Sequence, residues 1–175
     1  VQNLSDQYNL IIVMPEGETF SFYLDSPVNK ESQFETYITK EVIQKIDKTY
    51  RTITDRKGRV ISGLSMGGHG ALSLSAKHPD LFCAAGSMSG AVDMGVMLNR
   101  DSAAEVVKLM QPVFGADSDK KELYEANAVL NMIDKIKAII PNVCVTQDMI
   151  AGFPTETEDD HQDTLSLMEY VKYSF

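Results

Sequence analysis

At 175 residues with 43% hydrophobic content, the chain is long enough to bury a sizeable core, and its length alone predicts one domain. Sixteen basic against twenty-five acidic residues leave a net charge of −9, which argues against a nucleic-acid or anionic-membrane surface, because phosphate contacts need clustered Lys and Arg. No apolar run approaches the roughly 20 residues needed to span a bilayer, and Val1 to Leu10 lack the basic-then-apolar layout of a signal peptide; the chain reads as soluble and cytoplasmic, with an upstream targeting segment left open.

In chain order, the first residues read as an amphipathic helix. Leu10 to Met14 is a continuous apolar run stopped by Pro15, the pattern of a strand buried on both faces of a parallel sheet. Glu16 to Glu31 is aromatic, polar and contains Pro27, so it is a loop; Phe20, Phe22 and Tyr23 there either line an acyl or aryl pocket or pack at the loop's base. Ser32 followed by Glu35 spells a capping box, and Phe34, Tyr37, Ile38, Val42 and Ile46 recur at helical spacing to about Tyr50. Arg59–Ser62 is a second buried strand, Met66–Lys77 a small-residue helix and Cys83–Ser87 a third strand. Strand, helix, strand, helix, strand predicts an α/β fold: a parallel sheet with helices on both faces and these three strands as central neighbours.

Further on, Ala103–Met110 and about Lys120–Ala138 read as helices, Pro141 ends the second, Val143–Ile150 is a candidate strand, Gly152-Phe153-Pro154 a turn, and Glu158–Val171 a last amphipathic helix. Cys83 and Cys144 sit in apolar strand-like runs and read as buried free thiols rather than a bridge or metal ligands. The acidic run Glu156–Asp160 suits the positive end of a helix dipole better than a hard cation. Neither a metal nor a cofactor is expected.

Gly63-Leu64-Ser65-Met66-Gly67 fits G-x-S-x-G between a buried strand and a helix. A serine at the tip of so tight a turn has a strained backbone, and glycines two residues either side let the chains pass. The pattern predicts a nucleophile pointing into a cleft.

That segment, extended through Gly68-His69-Gly70-Ala71-Leu72, together with His78-Pro79-Asp80-Leu81-Phe82, Ala85-Gly86-Ser87-Met88-Ser89-Gly90, Met14-Pro15-Glu16-Gly17, Tyr23-Leu24-Asp25-Ser26-Pro27 and Gln33-Phe34-Glu35-Thr36, resembles the esterase D family, which includes tributyrin-type esterases. The resemblance covers about residues 1–138. It implies an α/β-hydrolase-type sheet, a small-molecule acyl ester as substrate, Ser65 as the acylated nucleophile and the Met66 backbone N–H as one oxyanion-hole donor. Family members also carry earlier strands, a His-Gly-containing loop that gives the second donor, and a later acidic residue and histidine. None of these is recognisable here, so the sheet is expected to be incomplete at its N-terminal side.

Ile139-Ile140-Pro141-Asn142 and Asp148 through His161, with Gly152-Phe153-Pro154-Thr155-Glu156-Thr157 at the centre, resemble part of a radical-SAM tRNA methylthiotransferase, without that family's three-cysteine cluster motif. The chain therefore reads as two segments, a partial esterase domain over 1–138 and an unrelated strand-helix tail over 139–175, joined near Ile133–Pro141. The order Ser65, Asp148 or Asp160, His161 imitates a triad, but His161 falls on the apolar stripe of a predicted helix, whereas a triad histidine needs a loop beyond a strand. His69 rides on the helix after Ser65 and His78 ends it. Two functions remain open: a serine carboxylic-ester hydrolase, impaired by its missing partners, or a non-catalytic remnant that assembles with another copy or another chain through an exposed sheet edge.

Overall fold

The computed structural model describes residues 1–95, 104–115, 121–139 and 157–171. It separates into two compact units, Val1–Asn131 and Met132–Phe175. At the centre of the first lie two parallel strands, β1 (Val60–Leu64) and β2 (Ala84–Met88), paired from Val60 opposite Ala84 to Leu64 opposite Met88. Parallel strands need a crossover, and helix α3 (Met66–Lys77) is that crossover. The alternation of a pleated strand puts Ile61, Gly63, Ala85 and Ser87 on one face. Helix α3 packs on this face at Ile61 and Ser87, while Ala85 stays exposed: Ile61 joins Leu74 in one apolar cluster, and a Cβ on Gly68 would meet Ser87 Oγ at 2.7 Å. Val60, Ser62, Leu64, Ala84, Gly86 and Met88, on the other face, are exposed.

Small residues let α3 be buried almost all round, at Gly68, His69, Gly70, Ala71, Ser73, Leu74 and Ala76. It contributes to two clusters. Ile38, Leu74 and Phe82 form one with Tyr23, Tyr37 and Ile43; Phe22, Leu24, Met94, Met110, Val113, Phe114 and Tyr124 form the other. The second cluster draws on helices α4 (Ala104–Phe114) and α5 (Lys121–Asn127).

Helix α2 opens as Phe34–Thr36, widens into a π turn over Tyr37–Val42 and closes as Ile43–Thr49. The expected Ser32/Glu35 capping box does not form. Asp25 caps the helix instead, accepting from the Thr36 N–H at 2.9 Å and the Thr36 hydroxyl at 2.6 Å. Glu35 is drawn away to Lys77 and His78, 2.6 and 2.8 Å off, and the buried Ser32 hydroxyl has no hydrogen-bond partner among the described residues. A charge pairing across the tertiary fold has outcompeted a local cap.

The run Leu10–Met14 is not a strand. It follows helix α1 (Gln2–Tyr8) and lies exposed, from 40% at Ile12 and Val13 to 74% at Met14. Its first residue is tied back to α1, since the Leu10 N–H donates to Ser5 O and the Ser5 hydroxyl donates to Leu10 O. An apolar run specifies a preference for burial and not a partner, and among the described residues β1 and β2 pair only with each other, so Leu10–Met14 joins no ladder. Likewise the helix expected over 120–138 breaks: after α5 come a 3₁₀ turn at Val129–Met132 and α6 (Ile133–Ile139). The Leu130 N–H donates to Val92 O at 3.0 Å instead of continuing the helical ladder. Cys83, expected to be buried, is exposed. Cys144, the candidate strand Val143–Ile150 and the turn 152–154 lie outside the described residues.

In the second unit, α7 (Glu158–Val171) begins with a reciprocal cap. Thr157 Oγ1 accepts from the Asp160 N–H at 3.2 Å, and Asp160 Oδ2 accepts from the Thr157 N–H at 2.9 Å. Glu158, Asp159 and Asp160 fill its first turn, where the helix dipole favours negative charge.

Candidate active site

Ser65 occupies the single position between β1 and α3, with φ 54° and ψ −116°, a left-handed conformation unusual for a residue with a Cβ. Two backbone bonds hold it there. Its N–H donates to Met88 O at the end of β2, 2.8 Å away, and its carbonyl accepts from the His69 N–H at 3.0 Å, opening α3. Gly63 makes the turn possible, because a Cβ there would stand 2.7 Å from Gly67 Cα and closer still to the Gly67 carbonyl. Gly67 is different: its added Cβ would meet only the Tyr23 hydroxyl, at 4.0 Å. Of the two motif glycines, sterics therefore demand only the first.

Ser65 is exposed and lines a cavity of about 420 Å³ with Glu18, Thr19, Phe20, Phe22, Met66, Ala91 and Val106. That volume is in the range of small-molecule sites, and five of the eight lining side chains are apolar. Met66 is the first residue of α3, so its N–H belongs to the first turn, whose amides have no intrahelical acceptor and carry the positive end of the dipole. The cavity thus offers a hydroxyl beside a partial positive charge. Phe20 and Phe22 line it; Tyr23 packs elsewhere, against Gly70 and Gly17, where Cβ atoms would overlap its ring and hydroxyl. Burial, and secondarily Glu16, raise the Tyr23 pKa. Glu18, Phe20, Phe22 and Tyr23 all have φ between 47° and 59°. The loop is held in this form partly by the Ser21 hydroxyl, which donates to Gly17 O and accepts from the Tyr23 N–H.

Among the described residues lining the cavity there is no imidazole. His69 is buried inside α3 with Nδ1 2.8 Å from Ala91 O; burial first, and then the charge of Lys77, hold its pKa below the ordinary value against the pull of the Ala91 bond. His78 follows α3 and pairs with Glu35 at 2.8 Å. His161 sits in the first turn of α7 in the other unit, its N–H bonded to Thr157 O. Among the described residues, no group of His, Cys, Asp and Glu could hold a metal ion. Ala91, Val106, Glu18 and Thr19 escaped the sequence reading, for they come from loops and a helix that only the tertiary fold brings to Ser65.

The family described as "Putative esterase" matches residues 4–147, most of the chain, and the chain belongs to that family. Among solved structures it is similar to a ferulic acid esterase, with 25% identity and a TM-score of 0.51 over 87% of this chain and 52% of that one. It is also similar to MPT51 (FbpC1) of Mycobacterium tuberculosis, with 22% identity and a TM-score of 0.56 over 71% and 47% of the two chains, a likeness of fold. The fold is that of the α/β-hydrolase esterases, and the chain spans about half the length of these solved relatives. A separate likeness covers 57 residues, 33% of this chain: 61% identity to the tRNA-2-methylthio-N(6)-dimethylallyladenosine synthase of Flavobacterium psychrophilum, of which it spans 12%. A segment of 57 residues is longer than the tail 139–175, so along the chain the two likenesses overlap.

Proposed function

We propose that this member of the esterase family is a serine carboxylic-ester hydrolase of the esterase D type, acting on small acyl esters through the G-x-S-x-G serine, Ser65. The observation that carries the reading is an exposed serine, strained at a strand-to-helix turn, in an apolar cavity at the N-terminus of a buried helix. In the reaction Ser65 Oγ attacks the ester carbonyl, its proton leaves to a base, and the tetrahedral oxyanion is held by the Met66 N–H. Collapse releases the alcohol and leaves an acyl-enzyme, which water cleaves to the acid. Asp148, Asp160 and His161 take no part, and among the described residues lining the cavity no imidazole stands ready to take that proton, so turnover is impaired. Labelling by a fluorophosphonate, read by intact mass, tests this: one adduct on the parent protein and none on Ser65→Ala is expected, and an undiminished adduct on Ser65→Ala refutes it.

A second reading is favoured by a cavity with no imidazole among the described residues lining it, and by Val60, Leu64 and Met88, which are 55–67% exposed on one face of the sheet. Here the chain is a non-catalytic remnant that pairs with a second copy through the sheet edge. Sedimentation as a dimer with no fluorophosphonate adduct would select it. In either reading the chain joins an esterase part, 1–138, to a tail, 139–175, akin to the tRNA methylthiotransferases, with the junction near Ile133–Pro141.

A further inference from the structure

His69 lies four residues after Ser65, has no place in the proposed chemistry, and is 1% exposed. A carbonyl only accepts, so the 2.8 Å contact with Ala91 O requires the proton on Nδ1 and fixes the ring's tautomer. The same ring stands edge-on to Phe22, with centroids 5.4 Å apart and planes at 83°. Ala91 and Phe22 are both walls of the Ser65 cavity. Beside Ala91, Gly90 approaches α3 so closely that a Cβ would stand 2.7 Å from Gly68 C and from His69 N. The segment from Met88 to Ala91 is therefore fastened at both ends: the Ser65 N–H holds Met88 O, and His69 Nδ1–H holds Ala91 O.

We infer that His69 is a positioning residue that sets the width of the serine cavity, fixing the Ala91 wall through its hydrogen bond and the Phe22 wall through its ring, and so decides which acyl chains reach Ser65. As a statement about acyl chains it rests on Ser65 being the acylated residue; as a statement about the cavity it does not. Without the bond, the Ala91 carbonyl turns to water and its segment swings away from α3. With the bond but no aromatic ring, Phe22 loses its edge contact while Ala91 stays in place.

The test uses the whole chain with ¹³C-labelled alanine methyls, together with ethyl- and octyl-chain fluorophosphonates. His69→Phe keeps a ring but has no donor, and it should shift or broaden the Ala91 methyl while leaving Ala76, near the far end of α3, at its parent position. It should also change the octyl-to-ethyl ratio of labelling rates about fivefold, the worth of one hydrogen bond of about 1 kcal/mol. His69→Asn, whose amide restores a donor, should return the Ala91 methyl to the parent position. An Ala91 methyl unmoved by His69→Phe overturns the inference, as does a chain-length ratio within twofold of the parent. If loss of the Ala76 signal shows that His69→Phe is unfolded, His69→Asn decides, and a displaced Ala91 there overturns it. Absence of labelling in the parent protein refutes the serine reading instead, and the Ala91 methyl still decides on His69.

Discussion

Alanine at Gly63 and at Gly67 should act in opposite directions, although both glycines belong to one five-residue pattern. At Gly63 a methyl would stand 2.7 Å from Gly67 Cα, where carbon atoms normally pack at about 3.5–4.0 Å. Both sides of this contact are backbone, so β1 and the first turn of α3 would have to separate by roughly 1 Å. Overpacking of that kind costs about 1–3 kcal/mol, and rigid partners place Gly63→Ala near the upper figure. For a chain of this size about 3 kcal/mol lowers Tm by about 6–12 °C. A displacement near 1 Å at Ser65 would also slow fluorophosphonate labelling by about a hundredfold. At Gly67, the second residue of α3, the methyl meets only the Tyr23 hydroxyl at 4.0 Å, and Gly-to-Ala gains at most the helix-interior value of about 0.5–1 kcal/mol. Gly67→Ala should therefore raise Tm by about 1–4 °C. Thermal unfolding followed by circular dichroism, with labelling rates on the same samples, reads both effects. Equal losses at the two positions, or an unchanged Tm for Gly63→Ala, would refute the steric account of the turn.

Glu35→Ala removes the partner of His78 and leaves Lys77 only its bond to Asn127 Oδ1 at 2.9 Å, with the two side chains 29% and 24% exposed, and should cost about 2 kcal/mol in urea unfolding, as expected when a mostly buried carboxylate that takes two hydrogen bonds is lost. Glu105→Ala, which breaks a pair with Lys108 on the surface, should be within about 0.5 kcal/mol of the parent. For His69, whose folded pKa lies below its ordinary value of about 6.5, the unfolded chain binds the proton more readily. Its contribution is intact above that value and is lost as pH falls from about 6.5 through the folded pKa, so the parent protein should weaken on acidification more steeply than His69→Asn, as denaturation midpoints between pH 7 and 5 would reveal. A parallel pH dependence of the two proteins would show that the imidazole is not the group responsible. His161→Ala should leave fluorophosphonate labelling within about twofold, since a triad histidine needs a loop beyond a strand and His161 sits in the first turn of a helix; a loss of tenfold or more would overturn the two-segment reading of the chain.

Much of the local structure was legible in the sequence because it depends on neighbours in sequence. The helix Met66–Lys77, the strands on either side of it, the serine between strand and helix, and the start of the last helix at Thr157 all follow from short-range patterns, and the structure places each within a residue or two. Gly63 was legible for the same reason. Where the outcome rested on a distant partner, the pattern misled. Leu10–Met14 has the composition of a buried strand yet pairs with neither described strand, and Ser32 and Glu35 form a capping box on paper while Asp25 and Lys77 settle the matter in space. The break after Asn127 depends on a carbonyl at Val92, thirty-eight residues before Leu130. The cavity around Ser65 is of this second kind, built from an aromatic loop, the end of a strand and two helices, so a five-residue motif located the serine but only the packing of distant segments supplied Phe20, Ala91 and Val106 as its walls and buried His69 behind them. Periodicity and spacing record what a residue prefers, and which partner satisfies that preference is fixed only when the chain closes on itself.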